Sequence, residues 1–322
     1  MKSGIFFPVI YTFKHLEKFY RMKSKNIGIN TICTHVGEVE DKQFKGAVSP
    51  LYMSSSYAYE DVDVKRYPRY FNTPNQEALS KKIAMLEKCE SALIFGSGMA
   101  AVSTTMLAFL HKGDHVVLPQ TLYGGTYNFV VEEFHKFGIE YSFAEGFSEA
   151  DFSEKIQKNT KVIFVETPSN PLMRITDLEM IDNTFASPVN QTPADFGIDI
   201  MIHSATKYMG GHSDILAGAV AASEEDIKII WNLAKNLGGS LSDYTVWLLE
   251  RSMKTMVLRV KAQNKNAKKM AKWLDKHPLV EKVYYPGLKS HPDHELAKKQ
   301  MSGYTGMLSF EIKESLNVDD FL

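Results

Sequence analysis

The sequence is poor in cysteine, in long apolar runs and in net charge. Its two cysteines among 322 residues, Cys33 and Cys89, are too few for a disulfide framework or a cysteine-rich zinc site, and they favour a reducing, cytoplasmic compartment. No run approaches the roughly 18 apolar residues that span a membrane. The apolar stretch 6–13 contains Pro8 and is followed by charged residues, which disfavours a signal peptide. Since 37 basic and 38 acidic residues give a formal net charge of −1, we do not expect nucleic acid as a partner. The lack of a long apolar run likewise leads us to expect no membrane partner.

The length and the order of the elements predict an α/β protein with more than one domain. At roughly 150 residues per domain, 322 residues predict two domains. From residue 75 onward, predicted helices and strands alternate, which is typical of βαβ units and of a mostly parallel sheet flanked by helices. After about residue 224 the pattern changes to long helices, one predicted over 243–276, with isolated strands. We therefore divide the chain into an N-terminal extension and arm (1–74), a large domain (75–240), and a linking helix with an incomplete C-terminal α+β domain (241–322).

The strongest candidate for chemistry is Lys207, in the segment 202–208 (IHSATKY) just beyond an apolar strand. A lysine amine attacks aldehydes only when it is neutral, and burial beside other cations lowers its pKa. Ser204 and Thr206 place hydroxyls beside it. The spacing alone equally fits an ordinary surface lysine after a strand.

Two further segments are suited to binding an anion. The glycine-rich turn 95–99 (FGSGM) precedes a predicted helix, where backbone N–H groups and the helix dipole favour negative charge. Arg69, close to Tyr67 in an aromatic loop, has the planar guanidinium that binds a phosphate through two hydrogen bonds. Taken singly, the turn could merely separate a strand from a helix, and the arginine could be an ordinary solvated side chain.

Three more positions follow turns or strand ends. Tyr123 precedes two glycines, the segment 166–171 (ETPSNP) follows a buried strand, and Asp182 lies near another turn. Strand ends are the usual place for site residues in open α/β sheets, although a turn and a helix cap are the plainer interpretations of Tyr123 and Asp182. We predict no metal site, because the spacing of His203 and His212 fits neither one helix face nor one strand face.

Together these segments resemble one family closely. The matching stretches, in chain order, are YPRYFNTPNQ, FGSGMAA, TLYGGTYN, ETPSNPLMRITDLE, DNTFASP and HSATKYMGGHSD. They are similar to the pyridoxal-phosphate (PLP) enzymes of cysteine and methionine metabolism, which include the trans-sulfuration enzymes cystathionine γ-synthase and cystathionine γ-lyase. The resemblance spans about residues 31–312. It implies the aspartate-aminotransferase fold, fold type I of PLP-dependent transferases.

The resemblance assigns each matching residue a role toward one cofactor, pyridoxal 5'-phosphate. Lys207 matches the lysine that forms the Schiff base and shuttles protons, and Asp182 matches the acid that pairs with the pyridinium nitrogen. Tyr123 matches the ring that stacks on the cofactor and acts on the leaving group. The remaining matches are phosphate ligands, a residue near the phenolic oxygen, and a pair reaching the phosphate from a neighbouring subunit: Gly98, Met99, Ser204 and Thr206; Asn170; Tyr67 and Arg69.

The resemblance also implies a reaction and an assembly. It implies β- or γ-elimination, or γ-replacement, on a sulfur amino acid or an activated homoserine, within a homotetramer built as a dimer of dimers. We favour cystathionine γ-synthase or γ-lyase chemistry over an acylhomoserine sulfhydrylase. Methionine γ-lyases typically carry a cysteine where this chain has Gly125.

The chain departs from the family pattern in two places. Only residues 178–181 separate Asp177 from Asp182, whereas a helix-plus-strand unit needs about ten or more residues. We therefore expect a central strand to be missing near 178–182, so that Asp182 falls short of the cofactor ring. No candidate for the arginine that grips the substrate carboxylate follows Leu316. The alternative hypothesis is a non-catalytic or impaired truncated paralogue of the same family.

Overall fold

The computed structural model describes residues 27–169, 171–176 and 181–314. The N-terminal part of this range contains one regular helix, α1 (Ile29–His35), and a 3₁₀ turn at Pro68–Tyr70. Between them the chain is irregular and leaves large apolar side chains exposed, including Phe44 at 79% and Met53 at 71%.

Helices and strands alternate between residues 74 and 237, as the sequence predicts. The strands are β1 (Ser91–Phe95), β2 (His115–Pro119), β3 (Glu140–Ala144), β4 (Thr160–Ile163), β5 (Val165–Glu166), β6 (Ile181–Asp182), β7 (Met201–His203) and β8 (Gly218–Ala222). The helices are α2 (Pro74–Leu86), α3 (Gly98–Phe109), α4 (Gly124–Asn128), α5 (Phe134–Phe137), α6 (Glu149–Ser153), α7 (Ser187–Asn190) and α8 (Glu224–Leu237). A tighter 3₁₀ turn occupies Pro193–Phe196, and irregular helical turns occupy Phe129–Glu133 and Thr206–Gly210.

The strands form one continuous layer. One group pairs in the order β1-β8-β7-β6-β5 and another in the order β3-β2-β4. The N–H of Phe164, between β4 and β5, donates to the carbonyl of Val117 in β2 (2.9 Å) and joins the two groups. The pairs β2–β3, β2–β4, β5–β6 and β6–β7 are parallel, while β8 runs antiparallel to both β1 and β7. The sheet is therefore mostly parallel, in agreement with the prediction.

Helices cover both faces of the sheet. Successive residues of a strand point to opposite sides, so alternate residues of one strand pack against helices on different faces. In β1, Leu93 and Phe95 pack with α3 and α8 in one buried cluster. Ile94, between them, packs with α2 in the other. Strands buried on both faces are the expected partners of crossover helices.

The predicted loss of a central strand is wrong as stated. The structure has a strand at this place, β6, although it is only two residues long. Ile181 pairs with Val165 on one side and Met201 on the other, and Asp182 pairs with Glu166 and Ile202. Two neighbouring strands thus supply hydrogen-bonding partners that a two-residue strand could not find alone.

The C-terminal region begins with two helices rather than the single long helix predicted over 243–276. These are α9 (Asp243–Met253) and α10 (Met256–Leu274), with a break at residues 254–255. Beyond them lie β9 (Val280–Tyr284), α11 (His294–Gln300) and β10 (Ser309–Ile312), and β9 and β10 form an antiparallel pair. Ala267, Ala271 and Leu274 of α10 pack with Val283 of β9. No described helix is long and apolar enough to cross a membrane.

Candidate active site

The glycine-rich turn after β1 presents free amides at the start of α3. The hydroxyl of Ser97 accepts a hydrogen bond from the N–H of Ala100 (3.0 Å) and so caps the helix. The N–H groups of Gly98 and Met99, in the first turn, have no acceptor within the helix. Together with the helix dipole, these two amides favour an anion.

The turn lies directly against the segment that carries Lys207. A Cβ atom added at Gly98 would lie 2.9 Å from the Cβ atom of Ser204. A Cβ atom added at Gly218, in β8, would overlap the carbonyl of Ser97. Glycine is needed at both positions for this close approach. The two segments that the sequence singled out separately are therefore neighbours at one edge of the sheet.

Lys207 is exposed on the irregular turn Thr206–Gly210, which follows β7. Its φ and ψ of −82° and −109° interrupt the helical geometry of that turn. The carbonyl of Lys207 accepts a hydrogen bond from the N–H of Gly211 (2.7 Å), and its own N–H donates to the carbonyl of Ser204 (3.1 Å). The backbone of the lysine is thus fixed on both sides while the side chain faces outward.

The two hydroxyls predicted to bind phosphate have different surroundings. Ser204 lies beside Gly98, and its N–H donates to the hydroxyl of Thr184 (2.7 Å). The hydroxyl of Thr206 donates to the carbonyl of Ala217 (3.2 Å) and accepts from the N–H of the same residue (3.0 Å). In this structure Thr206 therefore joins its turn to the start of β8, a use that the sequence did not indicate.

Asp182 ends β6, one strand away from the lysine segment. Its Oδ1 atom accepts a hydrogen bond from the N–H of Thr184 (3.0 Å). Burial raises the pKa of the Asp182 carboxyl above its ordinary value, and the hydrogen bonds from Thr184 and the nearby His203 oppose this rise. Since Thr184 also accepts from Ser204, the carboxyl and the lysine segment belong to one hydrogen-bonded chain.

A buried polar cluster adjoins Asp182 and was missed by the sequence analysis. Nε2 of His203 contacts Oε1 of Glu87, and both side chains are fully buried. The amide of Asn183 donates to the same oxygen (3.2 Å) and to the carbonyl of Gln191 (3.2 Å). A glutamate at the end of a helix is usually exposed, so nothing in the sequence indicated that Glu87 lies in a buried cluster.

The histidines considered as metal ligands have other partners. His203 pairs with Glu87, and Nδ1 of His212 lies 2.7 Å from the carbonyl oxygen of Gly210. The described residues contain no group of three or more side chains arranged to hold a metal ion.

Tyr123 lies close to the start of α3. The residue precedes α4 and is 53% exposed. A Cβ atom added at Gly125 would lie 2.7 Å from the Tyr123 ring and 3.1 Å from the sulfur of Met99. The carboxylate of Glu166, at the end of β5, accepts a hydrogen bond from the N–H of Tyr123 (2.8 Å). Glu166 thus fixes the backbone that presents the ring.

Tyr67 and Arg69 lie on the 3₁₀ turn, where Arg69 has partners in its own chain. Its guanidinium donates to the carbonyl of Lys235, near the end of α8. It also lies 5.3 Å from the ring centres of both Tyr67 and Tyr70. The predicted role of Asn170 falls outside the described residues.

The assembled groups fit pyridoxal phosphate, the cofactor that the resemblance implies. A phosphate suits the free amides of Gly98 and Met99, which the missing side chain at residue 98 leaves open to approach. A pyridinium nitrogen suits the carboxyl of Asp182, and an aldehyde suits an exposed lysine amine. An aromatic ring suits the exposed face of Tyr123.

Comparisons with known proteins agree with this geometry. The family model for Cys/Met metabolism PLP-dependent enzymes matches residues 30–322. The chain is 40% identical over 309 residues to a cystathionine gamma-lyase of Bacillus subtilis (strain 168), covering 91% of this chain and 81% of that protein. It is 38% identical over 321 residues to an L-methionine gamma-lyase of Fusobacterium nucleatum subsp. polymorphum, covering 91% and 80%.

The fold is shared with solved structures of such proteins. The crystal structure of cystathionine gamma-lyase from Lactobacillus plantarum complexed with L-serine superposes with a TM-score of 0.87 at 36% identity, covering 92% of this chain and 81% of that one. This match confirms the predicted fold class, fold type I of the PLP-dependent transferases. The chain belongs to the family of Cys/Met metabolism PLP-dependent enzymes.

Proposed function

We propose that this enzyme catalyses elimination or replacement at the β or γ carbon of a sulfur amino acid or an activated homoserine, with cystathionine as the substrate to test first. Family membership makes pyridoxal 5'-phosphate its cofactor and a small amino acid its substrate. The observation that carries the proposal is the close packing of Gly98 on Ser204, which brings the free amides of α3 next to the segment of Lys207.

Seven described residues would hold the cofactor. The amides of Gly98 and Met99 and the hydroxyls of Ser204 and Thr206 would bind the phosphate, Asp182 the ring nitrogen, Tyr123 the ring face and Lys207 the aldehyde carbon. Thr206 has to exchange its bonds to Ala217 for this role. When bound, the cofactor supplies an electron sink for negative charge at the substrate α-carbon.

Lys207 would move the substrate α-proton. A neutral amine at Nζ accepts that proton and returns it to another carbon, which requires a side chain that can swing between two positions. The Lys207 side chain is exposed whereas its backbone is hydrogen-bonded on both sides. This combination permits movement at the amine without movement of the chain.

Tyr123 would act beside it at the departing group. Its phenol can hold or donate a proton at the sulfur that leaves, and Glu166 fixes the backbone N–H of this residue. On the inner side, the buried Glu87–His203 pair lies next to Asp182.

The proposal predicts that Lys207 is the attachment point of the cofactor. Borohydride reduction of the holoenzyme should add the cofactor mass to the peptide that contains Lys207, and Lys207→Ala should lose both this mass and the visible absorption of the bound cofactor. The exposed Lys261 on α10 provides a matched control, and Lys261→Ala should behave as wild type. Attachment at another lysine, or a protein that retains no cofactor, would contradict the proposal.

The carbon of elimination is decided by the products. Cleavage of cystathionine at the γ carbon yields cysteine, 2-oxobutanoate and ammonia, whereas cleavage at the β carbon yields homocysteine, pyruvate and ammonia. Formation of cystathionine from cysteine and an acylhomoserine would instead indicate γ-replacement. A holoenzyme that carries the cofactor on Lys207 and yet forms none of these products would favour the non-catalytic alternative.

We further propose a homo-oligomer in which Tyr67 and Arg69 serve a neighbouring site. The exposed apolar side chains between α1 and the 3₁₀ turn, such as Phe44 and Met53, support burial against a second copy. If Arg69 acts across subunits, mixing Arg69→Ala and Lys207→Ala proteins should restore activity, because a mixed dimer contains one intact site. No recovery after confirmed subunit exchange would place Arg69 in its own site.

The two thiols are compatible with a cytoplasmic protein, which remains our proposal. Both are free; Cys33 is buried and Cys89 is partly buried. Burial raises the pKa of Cys33 to about 11 and that of Cys89 to about 12. At neutral pH these thiols therefore stay protonated and react slowly.

A further inference from the structure

Arg259, on α10, is hydrogen-bonded to the turn that carries Lys207. Its Nη1 atom donates to the carbonyl of Tyr208 (2.8 Å) and its Nη2 atom to the carbonyl of Met209 (3.2 Å). Nη2 also donates to the carbonyl of Ser252 at the end of α9 (3.0 Å). One planar guanidinium thus binds carbonyls from two helical segments, both near their C-terminal ends.

This geometry explains how a half-buried cation is accommodated. Carbonyls at helix C-termini carry partial negative charge and lack intrahelical donors. Among the described residues, no carboxylate forms an ion pair with Arg259. Burial lowers the pKa of Arg259 from its ordinary value, but a guanidinium remains charged at neutral pH. The charge is therefore matched by backbone dipoles of the Lys207 turn and of α9.

Two neighbours show that the chain is shaped around this side chain. The Nε atom of Arg259 donates to the hydroxyl of Thr255 (3.1 Å), which orients the guanidinium plane. Gly211 ends the Lys207 turn with φ of +72°, and a Cβ atom there would overlap Nη1 of Arg259. Only glycine allows both this backbone conformation and this contact.

Tyr208, the residue after the lysine, is held at both ends. Its carbonyl accepts from Arg259, while its hydroxyl bonds the hydroxyl of Thr305 (2.9 Å) and accepts from the N–H of Gly306 (3.0 Å). Residues of the C-terminal region therefore hold both the backbone carbonyl and the side-chain hydroxyl of the residue next to Lys207.

We propose that Arg259 is a positioning residue, which fixes the backbone of Lys207 and so sets where its amine acts. The inference rests on the proposed function of Lys207. Removing the guanidinium leaves two carbonyls of a short, irregular turn without donors, so the turn gains freedom. A displacement of about 1 Å at a reacting group costs on the order of 100-fold in rate.

The test compares Arg259→Lys and Arg259→Gln holoenzymes with wild type. Lysine keeps the charge but cannot bind both carbonyls with a planar fork. We expect both variants to lose about 10- to 100-fold in kcat with KM changed by less than about threefold. We also expect the amides of Gly210 and Gly211 to exchange hydrogen about tenfold faster, because the bonds that hold their turn are weakened. Arg251→Gln, at an exposed arginine of α9, is the matched control and should leave kcat and exchange unchanged.

If Arg259→Gln fails to fold, a milder variant can test the same inference. Thr255→Val removes the hydroxyl that orients Arg259 at an exposed position, and it should give the same two effects in smaller size. Unchanged kcat and unchanged exchange at Gly210 and Gly211 in the folded variants would overturn the inference. Borohydride labelling of Lys207 separates the two proposals: wild-type protein without label refutes the function itself, whatever the Arg259 variants do.

Discussion

Asp182→Asn should stabilise the cofactor-free protein at neutral pH relative to acidic pH while it impairs the holoenzyme. The side chains have nearly the same shape, and the carbonyl oxygen of asparagine can still accept from the N–H of Thr184, now 3.0 Å from Oδ1. What the substitution removes is a charge, and burial raises the pKa of this carboxyl from its ordinary 3.8.

The raised pKa of Asp182 determines how the stability of the wild type changes with pH. A folded-state pKa above the unfolded value means that the folded protein binds more protons between the two values. The wild type therefore loses stability as the pH rises from the unfolded pKa through the folded one, at about 1.4 kcal/mol for each pKa unit of elevation. The difference in free energy of unfolding, variant minus wild type, should grow from pH 4 to pH 7, because any packing change that the asparagine side chain causes does not depend on pH.

In the holoenzyme, Asp182→Asn should weaken cofactor binding and lower kcat. The hydrogen bond of a carboxylate to a pyridinium nitrogen is charge-assisted, and such bonds contribute about 1.5–3 kcal/mol. We expect Asp182→Asn to hold the cofactor about 10- to 100-fold more weakly and to reduce kcat by about 100-fold or more. Denaturant unfolding of cofactor-free protein, followed by tryptophan fluorescence, and cofactor titration supply the two measurements. A stability difference that stays constant with pH, or unchanged cofactor affinity, would refute the placement of Asp182 argued above.

Three other changes test the surroundings of the site. Gly98→Ala should weaken cofactor binding by about tenfold or more, because its Cβ atom would lie 2.9 Å from that of Ser204. Glu166→Ala should lower kcat by about tenfold through the loss of the 2.8 Å bond to the N–H of Tyr123, whereas Glu166→Gln, which keeps an acceptor oxygen, should retain most of the activity. Burial lowers the pKa of His115 below 6.5, so the wild type should lose stability as the pH falls through about 6.5, and His115→Gln should lose less.

A specific outcome would contradict each of the predictions for Gly98, Glu166 and His115. Gly28→Ala, at a glycine with open space around it, should leave cofactor affinity unchanged, and equal effects of the two glycine variants would indicate general destabilisation. Equal activities of Glu166→Ala and Glu166→Gln would show that the acceptor oxygen is unimportant. Parallel pH curves for wild type and His115→Gln would exclude His115, which lies 2.8 Å from Thr160 and 3.0 Å from Ser142, as a titrating group.

Local sequence signals sufficed to predict the alternation of helices and strands after residue 75. The turn 95–99 and the apolar segment before Lys207 are recognisable because glycines and strand ends leave local marks in a sequence. The helix predicted over 243–276 was wrong at residues 254–255, where no proline or glycine stands. The two helices pack differently beyond that break: the start of α10 shares a buried cluster with α9, and its later part packs against β9.

Contacts between distant segments were out of reach of such reasoning. Glu87 and His203 are 116 residues apart, and Arg259 meets Tyr208 across 51. In both cases a charged residue sits on a helix, a position that is usually solvent-exposed. Neither contact leaves a periodic pattern or a motif in the sequence. His203 meets a single distant carboxylate, and Arg259 meets backbone carbonyls, which every residue has.

The expectation that Asp182 lacks its strand rested on the small number of residues, 178–181, that precede it. A strand of a parallel sheet is positioned by hydrogen bonds to both neighbours, not by its own length. Asp182 keeps those neighbours, Glu166 and Ile202, and the N–H of Asn183 donates to the carbonyl of Ile202 (3.0 Å). The carboxyl is therefore placed by β5 and β7, whose sequences match the family pattern. This register sets Asp182 beside the lysine segment that follows β7.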